Sequence, residues 1–190
     1  MKREIKSQLE SKKQEKKYID YKWIIQLTIL AFMISISFSF ITEMALDNTG
    51  LLVSIMAVIM FIVIAVIFDV IAIAITTADE APFHSMSSRK IHAGRVAVKL
   101  KKNAAKLSSI FSDVIGDICG IVSGTAGVYI AVHISTMWDY PFFTCMLVTT
   151  AVIASMTISA KALEKNFALE KNNYILYYTS SVISMFYRPK

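Results

Sequence analysis

The sequence predicts an all-α fold: a polytopic helical membrane protein with four transmembrane helices plus cytoplasmic juxtamembrane and interfacial helices. Its twenty Lys and Arg residues fall into three blocks, eight between Lys2 and Lys22, seven between Arg89 and Lys106, and five between Lys161 and Lys190. The stretches between them, 23–88 and 107–160, carry no positive charge. Each is long enough to cross a bilayer twice, because one spanning helix takes about 20 apolar residues.

Both stretches dip in polarity at their middle, at Asp47-Asn48-Thr49-Gly50 and at Trp138-Asp139-Tyr140-Pro141, so each reads as a helical hairpin. The expected spans are 23–46, 51–77, 107–136 and 142–160. The positive-inside rule turns all three basic blocks, and with them both termini, to the cytoplasm of a cell membrane. The first apolar run is about twice as long as the core of a secretory signal, so it is expected to be a retained span.

Residues 1–22 form a basic cytoplasmic tail. Pro82 closes the second span, and Ser85, Ser87 and Ser88 after it offer N-caps. A basic amphipathic helix with Ile91, Val96 and Leu100 should follow at the cytoplasmic surface. The segment 166–187 is amphipathic and rich in aromatic residues, which suits an interfacial helix better than a fifth span.

The formal charge of +6 and pI near 9.3 do not point to nucleic acid. The basic residues flank apolar spans, where attraction to anionic headgroups of the lipid bilayer accounts for them. Cys119 and Cys145 both fall inside spans and read as small packing residues. The chain has no HExxH, no GxSxG and no phosphate-binding glycine loop, and its histidines are scattered, so no enzyme is predicted.

The third span carries the most chemistry. Gly116, Gly120 and Gly124 make two overlapping GxxxG units, a helix-packing surface that lets another backbone approach. Helical periodicity puts Asp113 and Asp117 on that same face. A carboxylate inside a bilayer costs about 2.5 to 3.5 kcal/mol even on the lenient insertion scale, and no Lys or Arg lies within the expected spans. A bound cation, a proton or neighbouring hydroxyls must then stabilise it. This oxygen-rich inventory suits a hard cation such as Mg²⁺. Asp69, on the second span, lies at a depth similar to that of Asp113. Asp79 and Glu80 end the second span, where hydrated acids are common.

From Leu51 onward the chain resembles the transmembrane domain of the CNNM/CorC (cyclin-M-like) family of magnesium and cobalt transport proteins. Thr77-Ala78-Asp79-Glu80, Ser87-Ser88-Arg89-Lys90 and Gly94-Arg95-Val96-Ala97 are similar to that family's span end, Ser/basic stretch and surface helix. Leu107-Ser108-Ser109, with Asp113 and Asp117, is similar to its next span, which bears two Asn four apart. Met156-Thr157-Ile158-Ser159-Ala160-Lys161 keeps the Ile and Lys of its Gly-Glu-Ile-x-Pro-Lys motif and lacks the Gly, Glu and Pro.

The resemblance implies a CNNM-like domain over 51–188; the chain is expected to depart from the family in an additional N-terminal transmembrane helix at 23–46 and in lacking the CBS regulatory domains. It implies a homodimer that binds and transports a divalent cation, Mg²⁺ or Co²⁺. Asp113 and Asp117 would be the metal-facing carboxylates, with Thr77 and Asp69 as neighbours, and Glu80 would hold the adjacent backbone or attract ions to the entrance. The departures in the last motif leave a second expectation open, a non-transporting membrane subunit or regulator that keeps the fold.

Overall fold

The structure, a computed structural model, describes residues 21–46 and 49–186. The basic tail over 1–20 and the Asp47-Asn48 half of the first turn lie outside them. Four long helices dominate. They are α1 (Tyr21–Leu46), α2 (Leu51–Thr77), a third formed by α5 (Ala104–Ser108), a π-helical stretch (Ser109–Gly116) and α6 (Asp117–Trp138), and α7 (Phe142–Glu170). All four are long and apolar enough to cross a membrane. Three shorter helices, α3 (Ala81–Ser88), α4 (His92–Lys102) and α8 (Asn172–Phe186), gather at one end. The described residues contain no β-strand, so the expected all-α class holds.

The centre of the bundle is α2, which packs against α6, α7, the π-helical stretch and α8. Its buried positions, Ser54, Val58, Phe61, Ile62, Ala65, Asp69 and Ala72, recur at intervals of three and four and so form one stripe. One cluster toward the turn end joins Leu46, Val58, Ile62, Ala126, Ile130 and Ile153. A second, deeper in the bundle, joins Phe61, Ala65, Val114, Ile118, Cys119 and Val122. Hydrophobic transfer adds little between helices in lipid, so close packing has to hold them. Gly127 shows how close: a Cβ there would stand 2.5 Å from Cδ1 of Ile153 on α7. By contrast α1 buries only Thr42 and Leu46 and exposes apolar side chains elsewhere, as a helix at the lipid boundary does.

Two expectations from the sequence need correction. The fourth long helix does not stop near Ala160 but continues to Glu170, because Lys161-Ala162-Leu163-Glu164-Lys165 consists of strong helix formers with no breaker. The serines do not cap α4: all three lie inside α3, where Ser88 Oγ donates to the Ser85 carbonyl, and the N-cap residue of α4 is Ile91, which offers no side-chain cap. Pro82 stands in the first turn of α3, where its missing N–H costs nothing.

The short helices are docked rather than merely resting on a surface. Ala93, Gly94, Val96 and Ala97 of α4 are buried, and Leu176 of α8 joins Ile75, Phe83 and Ala97 in a third core cluster. Gly94 permits the α3–α4 approach, since a Cβ there would lie 2.6 Å from the Met86 Cβ and 2.8 Å from the Ser87 backbone nitrogen. The last carbonyls of α2 are satisfied across the same junction. Lys101 Nζ donates to Thr76 O at 3.1 Å and Asn172 Nδ2 to Thr77 O at 3.2 Å, while the Asp79 N–H donates to Asn173 Oδ1 at 2.9 Å.

Candidate functional site

Where α2, the π-helical stretch and α7 meet, four polar side chains converge in an otherwise apolar bundle. Asp69, on the inner stripe of α2, is 6% exposed. Ser112 Oγ donates to its Oδ1, and Lys161 Nζ stands 3.1 Å from its Oδ2. Glu164, also 6% exposed, lies against Asp69 and near Lys161. Its Oε2 is buried and has no hydrogen-bond partner among the described residues. An apolar groove of about 610 Å³, bordered by Val66, Val70, Ala160 and Phe167, runs beside Glu164.

The local backbone explains the convergence. In the π-helical stretch each turn holds more residues than an α-turn, so the phase of the side chains shifts there. Ser112 faces Asp69, and Gly116 lies beside the lysine: a Cβ at Gly116 would stand 3.8 Å from Lys161 Nζ. On α7 the buried positions Cys145, Thr149, Ile153, Glu164 and Ala168 follow helical spacing, and Lys161 and Glu164, three apart, share that stripe. Two acids and one base leave one negative charge to be balanced. In a low-dielectric setting that balance requires a proton or a cation.

The expected site residues do not all assemble here. Asp113 and Asp117 are exposed on the single chain and are not brought to Asp69. Thr77 lies eight residues beyond Asp69, about 12 Å along the helix. Its Oγ1 donates to Ile73 O at 2.8 Å, and Asn172 Nδ2 reaches it at 3.4 Å. Glu80 is exposed at the foot of α2, with His84 Nε2 3.7 Å from its carboxylate. It is Asp79 that holds the adjacent backbone, accepting the Ala81 N–H at 3.3 Å.

The glycine face divides. Gly116 is buried, whereas a Cβ on Gly120 or Gly124 would meet nothing within 4 Å. These two open onto a groove of about 330 Å³ shared with Ser123, Thr150, Ala154 and Thr157.

Sequence reasoning missed Ser112, Lys161 and Glu164. The absence of basic residues from the expected spans concealed that Lys161, one residue beyond the fourth, neutralises Asp69. The signal was present, since positions 161 and 164 continue the stripe through 149, 153 and 157. No three His, Cys, Asp or Glu residues among the described ones converge as a metal cage. The donor set is two carboxylates and a hydroxyl, and Mg²⁺, which keeps several waters, needs no larger set.

Comparison of the chain with protein-family models, with curated proteins and with solved structures gives no match.

Proposed function

We propose that this multi-pass membrane protein binds a divalent cation, Mg²⁺ or Co²⁺, between α2 and α7 and carries it across the bilayer. The observation that carries this reading is the buried pair Asp69 and Glu164, with one Glu164 oxygen left without a partner among the described residues. Buried polar atoms are normally satisfied, and a carboxylate oxygen facing another acid in an apolar bundle is well suited to a hard cation. Asp69, Glu164 and Ser112 would hold the ion.

Asp113 and Asp117, exposed beside the open Gly120 and Gly124, would lie along the seam of a homodimer. Lipid is a poor environment for two carboxylates. The end bearing α3, α4 and α8 would face the cytoplasm, because the basic residues of α4 and α7 gather there. The family reading, a CNNM/CorC-like transmembrane domain, rests on the sequence motifs alone.

The second reading, a membrane subunit or regulator that moves no ion, is favoured by one observation. The Lys161 ammonium at 3.1 Å already neutralises Asp69 and braces α7 to α2. Mg²⁺-dependent protection in detergent separates the two. A ligand that binds the native state stabilises it by RT ln(1 + [L]/Kd), so millimolar Mg²⁺ should raise the melting midpoint of the wild type and leave that of Asp69→Asn/Glu164→Gln unmoved. Wild-type midpoints that ignore Mg²⁺ would favour the non-transporting subunit.

A further inference from the structure

We propose that Lys161 is the resident counter-cation of this site, a tethered ammonium that an incoming divalent metal ion has to displace. The inference rests on the cation-site reading above and specifies the charge class of the ligand and the control of its access.

The geometry separates a fixed part from a movable one. The Asp69 side chain is 9% exposed, whereas that of Lys161 is 36% exposed, so the ammonium reaches inward from the edge of the bundle. Its flexible four-carbon stem can carry the charged head back toward the headgroups without moving the helix. Gly116 contributes no side chain next to the ammonium, which leaves that flank clear.

The charge count then selects the ligand. With the ammonium in place, two acids face one base, and Glu164 Oε2 is unused. Once the ammonium has left, two carboxylates and the Ser112 hydroxyl form an all-oxygen set. A monovalent ion would only replace the lysine charge for charge, whereas a divalent ion that also releases to solvent the proton shared by the two acids neutralises both carboxylates and engages the spare oxygen. Lys161 therefore lowers the apparent affinity for every cation and penalises monovalent ions most. It keeps Asp69 paired whenever the metal is absent, avoiding the large cost of an unpaired buried charge.

The test is Mg²⁺ affinity of the full-length protein in detergent, read from the concentration dependence of the melting midpoint at matched ionic strength, for wild type and Lys161→Met. The expected result is tighter binding by the variant, by about ten-fold or more for removal of one adjacent positive charge. Equal affinities, or weaker binding by the variant, would overturn the tethered cation while leaving the metal site standing. Binding by neither protein would overturn the metal site and the tether together. Should Lys161→Met fail to fold, Lys161→Arg carries the test. It keeps the charge on a forked head that grips a carboxylate more firmly, so it should bind Mg²⁺ more weakly than wild type, and equal or tighter binding would overturn the proposal.

Discussion

Lys161 sets its ammonium 3.1 Å from Oδ2 of Asp69, joining α7 to α2. Replacing Asp69 takes the paired carboxylate away from the ammonium, with Glu164 still nearby. Asp69→Asn should destabilise the protein by about 2 kcal/mol, below the usual range for a buried pair because the lysine is partly exposed. Lys161→Met in the same chain should recover part of the loss. A double-mutant cycle on melting in detergent measures the coupling, and additive single effects would mean that the pair contributes nothing.

The surface helices depend on one close approach. Gly94→Val places a side chain where a Cβ already meets the Met86 Cβ at 2.6 Å and the Ser87 nitrogen at 2.8 Å. Since backbone has to yield there, a loss of about 1 to 3 kcal/mol is expected. Thermal melts compared with Gly50→Val, where a Cβ would meet nothing within 4 Å, provide the control.

Gly120 and Gly124 make the opposite case. Open space faces both on the single chain, so Gly120→Leu/Gly124→Leu should leave its folding nearly unchanged. If a second copy packs there, the same variant should lose dimer in sedimentation or in energy transfer between labelled chains. An unchanged dimer fraction would move the interface elsewhere.

Orientation is accessible by cysteine labelling, because the native Cys119 and Cys145 are both buried. With a membrane-impermeant maleimide on intact cells, Asp139→Cys in the turn between α6 and α7 should label from outside. Lys102→Cys at the end of α4 should label only after permeabilisation. The reverse pattern would invert the topology.

Much of this fold can be read from the chain itself, because lipid imposes long uncharged runs and confines the basic residues to their ends. The second span was expected over 51–77 and is observed as Leu51–Thr77. The site was harder to read, for two physical reasons. Helical periodicity of 3.6 residues groups Asp113 and Asp117 with the glycines, and both are exposed as Gly120 is, but the π-helical stretch Ser109–Gly116 changes the phase and turns Ser112 toward Asp69, so the buried site forms without them. The end of a span was drawn at the first charge, Lys161, yet a lysine satisfied by Asp69 lies inside the bundle as part of a helix that runs to Glu170. Asp69 is legible because it lies in the second span at the depth of Asp113 in the third. Glu164 is hidden because it lies beyond the expected end of the span, between Lys161 and Lys165.

The most direct measurement is Mg²⁺ entry into proteoliposomes containing the purified protein, read by a trapped indicator, for wild type beside Asp69→Asn/Glu164→Gln and Asp113→Asn/Asp117→Asn. The expected result is flux through the wild type that the Asp69/Glu164 variant abolishes and the Asp113/Asp117 variant reduces less. Absence of flux from well-folded wild-type protein, or full flux through the Asp69/Glu164 variant, would contradict a pathway between α2 and α7.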